Sequence, residues 1–173
     1  MEKFLIDIHV HTSEVSGCGQ VKAEDAVKMY HSAGYQGLMI TDHFHKQYFD
    51  GLKLESWEKK IDRYLEGYHK AQKEGQRLGM EILLGMEFRN CETDNDFLII
   101  GVTEDFLYTH PDLYELPLTK AIDLFHQWNV SDPGTSCSLS DCRNERWEIV
   151  YQIQDGRDVG YAGSSSGHGG DSV

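Results

Sequence analysis

The chain has 173 residues and a mass of 19.8 kDa, which suits one domain large enough to bury a sizeable core. Its hydrophobic fraction of 39% and charged fraction of 26% are those of an ordinary globular protein, and no long uncharged apolar run suggests a membrane span. A formal net charge of -13 argues against general nucleic-acid binding, because such a chain repels phosphate backbones at long range.

Residues 3–10 read as a first strand, and a polar loop with Gly17 and Gly19 follows. The spacing of Ala23, Ala26, Val27 and Tyr30 predicts a helix over 22–33, with Gly34 as its C-terminal stop. Gly37 to Thr41 reads as a buried strand and residues 44–54 as a polar, aromatic loop. Trp57, Ile61, Tyr64, Leu65, Tyr68 and Ala71 predict one long amphipathic helix over 56–78, ended by Gly79. Ser56 with Lys59 and Lys60 makes no capping box, so the start of that helix is not marked. Strands are expected over 81–87 and 96–102, and a further helix over 118–127. Strands alternating with helices indicate an α/β fold with a parallel sheet.

Within the first strand, Asp7, His9 and His11 recur at every second position. Strand side chains alternate faces, so these three share one face and Ile6, Ile8 and Val10 the other. Two imidazoles on one rigid face can converge on a cation, and a nearby acid can fix a tautomer. Thr41-Asp42-His43 and Gly85-Met86-Glu87 each close another apolar run. Three strands thus carry ligand-type residues to their C-terminal ends, the rim at which parallel α/β barrels place their active sites. The layout is that of a metal centre and points to metal-assisted hydrolysis.

Through Asp7-Ile-His9-Val-His11-Thr12, Ile40-Thr41-Asp42-His43 and Gly85-Met86-Glu87, residues 3–127 resemble the polymerase-and-histidinol-phosphatase (PHP) family. The resemblance implies a partial β/α barrel of the family's seven-stranded type, with up to three divalent metal ions at the rim. It assigns His9 and His11 to the first metal, Glu87 to a bridge between the first and second, and His43 to the third. Asp7 and Asp42 look like groups that orient imidazoles or a water, and Asp42, His43 and Glu87 are carried over as catalytic residues. In the family, metal-bound hydroxide attacks a phosphate ester. Zinc, manganese or iron suits the imidazole and carboxylate donors.

The chain also departs from the family pattern. Where other members place a His or Asp after the first motif, this loop offers Glu14 or Cys18, and a spectator Cys18 is the favoured reading. The family's later Ala-His-Pro and Asp-x-His motifs are missing. His110, His31, His69 and His45 read as surface or packing residues, and His126 as a favourable residue at a helix end. Trp57, Tyr64 and Tyr68 read as core, and Asp94 and Asp96 as solvated turn residues.

After Gln127 the apolar period is lost, and in that stretch 147–153 alone reads as strand-like. The domain reading is therefore residues 1–127 as an incomplete metal-binding barrel and 128–173 as an irregular, low-complexity tail, out-of-frame translation being one hypothesis for it. His168 and Asp171 carry little weight as site residues. The four cysteines, Cys18, Cys91, Cys137 and Cys142, form no Cys-x-x-Cys pair. With no secretory signal in the sequence, a reduced, cytoplasmic protein is expected.

A metal-dependent phosphoesterase acting on a small phosphorylated substrate is the leading expectation, with neither nucleic acid nor membrane as partner and the oligomeric state open. A catalytically inactive fragment that binds metal weakly or needs a partner to fold is the alternative. A polymerase-associated proofreading module is disfavoured by the acidity. Histidinol phosphate, a nucleotide, a sugar phosphate or a phosphotyrosine all suit the family. Lys46 and Arg89 are the basic residues nearest the expected rim.

Overall fold

The computed structural model describes residues 5–54, 56–92, 94–131 and 151–153, with residues 129–131 and 151–153 described by backbone alone. Cys137, Cys142, His168, Asp171 and the low-complexity end lie outside the described residues.

Three apolar segments form the parallel heart of the sheet: β1 (Ile6–Val10), β2 (Gly37–Ile40) and β4 (Glu81–Phe88). Leu38, Met39 and Ile40 of β2 are all buried, as expected for a strand covered on both faces. β2 lies between β1 and β4, with Gly37 against both Ile6 and Glu81. A two-residue strand, β3 (His43–Phe44), adds to β4 in parallel and sets His43 opposite Glu87. The sheet and its helices make a partial β/α barrel.

The sheet is not parallel throughout. β5 (Asp96–Ile100) returns antiparallel on β4, placing Leu98 opposite Glu87. The link over residues 89–95 is too short for a parallel crossover, which takes about a dozen residues or more, so a hairpin is the available connection. β6 (Tyr151–Ile153), inside the strand-like stretch 147–153, pairs antiparallel with β5.

The first helix, α1 (Ala23–Ser32), buries Ala23, Ala26 and Val27, and its chain turns at Gly34 with φ +88°. Residues 44–54 are not simply a loop: α2 (Lys46–Gly51) starts where His45 accepts a hydrogen bond from the Tyr48 N–H. Six residues are too few for a helical period to show in sequence.

The long helix expected over 56–78 is divided at Leu65 into α3 (Trp57–Tyr64) and α4 (Glu66–Leu78). The division lets α3 bury Ile61 and Tyr64 in one core while α4 buries Ala71 in the other. Ser56 caps α3 by accepting from the Lys59 N–H, and Gly79 ends α4 in the left-handed conformation.

Two short elements follow β5. They are α5 (Glu104–Thr109), capped by Thr103, and a 3-10 turn at Leu113–Glu115. The last helix, α6 (Leu118–Ser131), runs past Gln127, so His126 is not in its final turn and gains nothing from the C-terminal dipole.

The larger core gathers Phe44, Phe49, Phe88, Phe106 and Tyr114 beneath β3 to β5. The smaller one, with Val10, Val27, Leu38, Ile40 and Ile82, seats α1 and α4 on β1, β2 and β4. No described helix is long and apolar enough to cross a membrane.

Candidate metal centre

Because β1, β2 and β4 run parallel, their C-terminal ends meet at one edge of the sheet. His9 lies near the end of β1 and His11 just beyond it. His43 follows β2, and Glu87 lies near the end of β4. His11 Nε2 and His43 Nδ1 each lie 2.9 Å from Glu87 Oε2, and His9 Nε2 lies 3.7 Å from it. The Nε2 atoms of His9 and His11 are 2.9 Å apart.

Glu87 is 4% exposed, yet its Oε2 receives no hydrogen bond, and neither does the buried His43 Nδ1. The contacts are close but not aligned as hydrogen bonds. Imidazole nitrogens and a carboxylate oxygen therefore crowd a small volume, an arrangement that a cation fits. Burial opposes ionisation of Glu87, but the imidazoles of His11, His43 and His9 outweigh it and hold the carboxyl well below the usual range.

Three donor groups overlap here, each with its ligand atoms within 4.8 Å of one another: His9, His11 and Glu87; His43, Glu87 and Asp96; and His11, Cys18 and His43. The residues assigned from sequence as metal ligands, His9, His11, His43 and Glu87, all come together. Asp96 and Cys18 join them, although sequence reasoning set both aside. Asp96 opens β5 across the hairpin from Glu87, and the shortness of that hairpin was the signal that could have found it. Cys18 lies between Gly17 and Gly19 in the loop after β1, with its Sγ 3.1 Å from His11 Nδ1 and 3.4 Å from His43 Nε2. Partial burial and the carboxylates of Glu87, Asp42 and Asp96 raise its thiol pKa.

Asp42 stands apart from these donor groups. It is 2% exposed and acts as a clasp on the loop after β1. Its Oδ1 accepts from the Thr12 N–H at 2.7 Å and the Ser16 hydroxyl at 2.6 Å, while Oδ2 accepts from the Thr12 hydroxyl at 2.7 Å. Ser16 Oγ in turn accepts from the His43 N–H. Burial pushes the Asp42 pKa up, against these hydrogen bonds. Asp42 thereby ties the Cys18 loop to the segment carrying His43. Gly19 seats the same loop, since a Cβ there would lie 2.5 Å from Thr12 O.

Glu14 and Cys18, left as alternatives in that loop, are separated by the fold. Glu14 accepts from the Ala23 N–H at the start of α1 and lies 3.5 Å from Lys70 Nζ, whereas Cys18 reaches the imidazoles. Asp7 holds the Tyr30 hydroxyl at 2.7 Å and the His9 backbone N–H at 3.0 Å. His45 is half-buried, with its ring 5.5 Å from that of His43. His110 is not at the rim; its ring stacks on Phe106 at 4.3 Å. Lys46 pairs with Glu115 and Asp50, and Arg89 forks both oxygens of Asp96. Both cations nearest the rim are therefore engaged by carboxylates.

Fold and donor set together describe an α/β domain of the partial-barrel kind with a candidate metal centre at its rim. The chain belongs to the PHP domain family, whose model matches residues 7–152 and so continues past Gln127. Among solved structures the chain is similar to the crystal structure of a two-domain protein from Bacteroides vulgatus containing a predicted PHP-like metal-dependent phosphoesterase. The identity is 14% and the TM-score 0.46, over 79% of this chain and 39% of that one. The chain thus spans well under half of that protein's length. No curated protein matches the chain.

Proposed function

We propose that this chain forms the metal-holding rim of a phosphoesterase acting on a small phosphorylated substrate. The observation that carries the reading is Glu87 Oε2, a buried carboxylate oxygen with no hydrogen bond and three imidazole nitrogens around it. Family membership supports the same chemistry. Bound divalent cations supply Lewis acidity and activate water at neutral pH.

The chain's own residues would act as follows. His9 and His11 present two lone pairs from one rigid strand. Glu87, held ionised by the surrounding imidazoles, would offer its buried Oε2 as a carboxylate donor. Asp42 holds the Cys18 loop and the His43 backbone in register. Zinc, manganese or iron fits such donors.

A metal-binding domain without hydrolytic activity is the second reading, favoured by the engagement of Lys46 and Arg89, the cations nearest the rim, with carboxylates rather than with a free anion site. One experiment separates the two. Metal content is measured on the purified full chain, and hydrolysis of p-nitrophenyl phosphate is assayed with added Zn(II), Mn(II) or Fe(II). Bound metal with hydrolysis lost in Glu87→Ala supports the phosphoesterase, and bound metal without hydrolysis supports the second reading. A chain that binds no divalent metal would exclude both.

A further inference from the structure

From Asp7, paired with Leu38, to Val10, paired with Ile40, β1 takes three steps where β2 takes two. The strand therefore carries one extra residue just before its end, a β-bulge. Bulges re-aim side chains and recur beside functional sites. In an unbroken strand, residues three apart face opposite ways. Here Asp7 and Val10 both face α1. Val10 packs with Ala23 and Val27, and Asp7 Oδ2 accepts from the Tyr30 hydroxyl at 2.7 Å, Tyr30 lying against the same core. The bulge thus parts Asp7 from the two histidines that follow it. His9 and His11 turn to Glu87 instead, with their Nε2 atoms 2.9 Å apart.

What holds the bulge is a single carboxylate used at both oxygens. Asp7 Oδ1 accepts from the His9 backbone N–H at 3.0 Å, while Oδ2 is held by Tyr30. The Tyr30 ring is fixed in turn, edge-on to Tyr35 with centroids 4.9 Å apart. On the far side of His11, Thr12 is tied to Asp42. That clasp fixes the chain after His11 and leaves the placing of His9 to the hold on its N-terminal side.

We propose that Tyr30 is a positioning residue: through Asp7 it holds the β1 bulge that delivers His9 beside His11 at the rim. The inference rests on the proposed metal centre and deepens it. Asp7 belongs to the same strand as His9, so an anchor outside the strand is needed to fix both, and the Tyr30 hydroxyl on α1 supplies it. Without that hydroxyl, a half-buried carboxylate gains hydration by swinging outward, and the His9 N–H loses its acceptor. His9 is the imidazole with the longest reach to Glu87 Oε2, at 3.7 Å against 2.9 Å for His11 and His43. Its contribution to a shared cation therefore depends most on where the strand holds it.

The test compares the full chain with its Tyr30→Phe variant, which removes one oxygen and keeps the ring, with folding checked by circular dichroism. Amide exchange is followed first, without metal. The His9 amide should exchange several-fold faster in Tyr30→Phe, and the Thr12 amide, held by Asp42, should not change. Histidine ring signals are then followed residue by residue as Zn(II) is added. His9 should need about tenfold more zinc in the variant, the lower end of the range for groups that orient metal ligands. His43, which Tyr30 does not hold, should respond as in the wild type.

An unchanged His9 amide, or a His9 zinc response equal to that of the wild type, would overturn the proposal. So would equal shifts at His9 and His43, since a general loosening of the fold moves both. If no histidine of the wild-type chain responds to zinc, the metal centre fails and the positioning role falls with it. A His9 amide that still responds to Tyr30→Phe would mark that result as a failure of the centre rather than of the bulge.

Discussion

Thr12 donates twice to Asp42, through its backbone N–H to Oδ1 and through its hydroxyl to Oδ2, and both residues are essentially sealed from solvent. The pair joins the end of β1 to the residues after β2, so the two strands that carry His11 and His43 are tied below the rim rather than at it.

Removing that carboxylate should therefore cost stability as well as site geometry. Asp42→Ala leaves the Thr12 N–H and the Thr12 and Ser16 hydroxyls without their acceptor, and unsatisfied buried groups cost about 1–3 kcal/mol each. A loss of about 3 kcal/mol or more is expected in urea unfolding. Asp42→Asn keeps an acceptor oxygen and should lose clearly less. Equal losses in the two variants would show that the clasp depends on charge rather than hydrogen bonding.

Gly67 of α4 marks where that clasp meets the helices. A Cβ there would stand 2.2 Å from Thr12 Oγ1 and 3.2 Å from Asp42 Oδ2. Gly67→Ala should destabilise by about 1–3 kcal/mol, as overpacking does. Gly51 meets nothing within 4 Å, and Gly51→Ala should be neutral or slightly stabilising. Paired thermal melts check the contrast, and an unaffected Gly67→Ala would mean α4 does not press on the clasp.

Metal binding should register as stability. A ligand that binds the native state alone stabilises it by about 2.7 kcal/mol at a free concentration one hundred times its Kd. Zn(II) should raise the melting temperature of the wild type, and a chelator should reverse the rise. Glu87→Ala should abolish the zinc-dependent part, whereas His31→Ala, on the exposed face of α1, should retain it. An intact zinc response in Glu87→Ala would remove Glu87 from the ligand set.

Tyr30 carries a pH signature. Partial burial and its hydrogen bond to Asp7 raise its pKa from 10 to about 12. Since the folded value lies above the unfolded one, the stabilising contribution is fully present below pH 10 and is lost as pH rises through about 12. Tyr30→Phe should be less stable than wild type at neutral pH, and the gap should close over that alkaline window. A gap that stays constant with pH would show that Asp7 does not hold the phenol.

The alternation of Asp7, His9 and His11 on a short apolar strand, and the acid or imidazole that closes two later apolar runs, determined the α/β class and the family from sequence alone, and named His9, His11, His43 and Glu87 as the candidates that the fold brings together. Those signals are local and periodic, so one chain suffices to read them. Antiparallel β5 was concealed because a strand's direction is not written in its residues, only in the length of the link before it. The short helices over 46–51 and 104–109 escaped because a turn and a half offers no period, and the break at Leu65 because each half follows its own core. What tertiary structure alone decided is which non-motif side chains reach the rim. Cys18 and Asp96 stand in sequence like any exposed thiol or turn acid. Only the Asp42 clasp and the β4–β5 hairpin bring them beside His43 and Glu87, because contacts between distant segments depend on packing that no local pattern encodes.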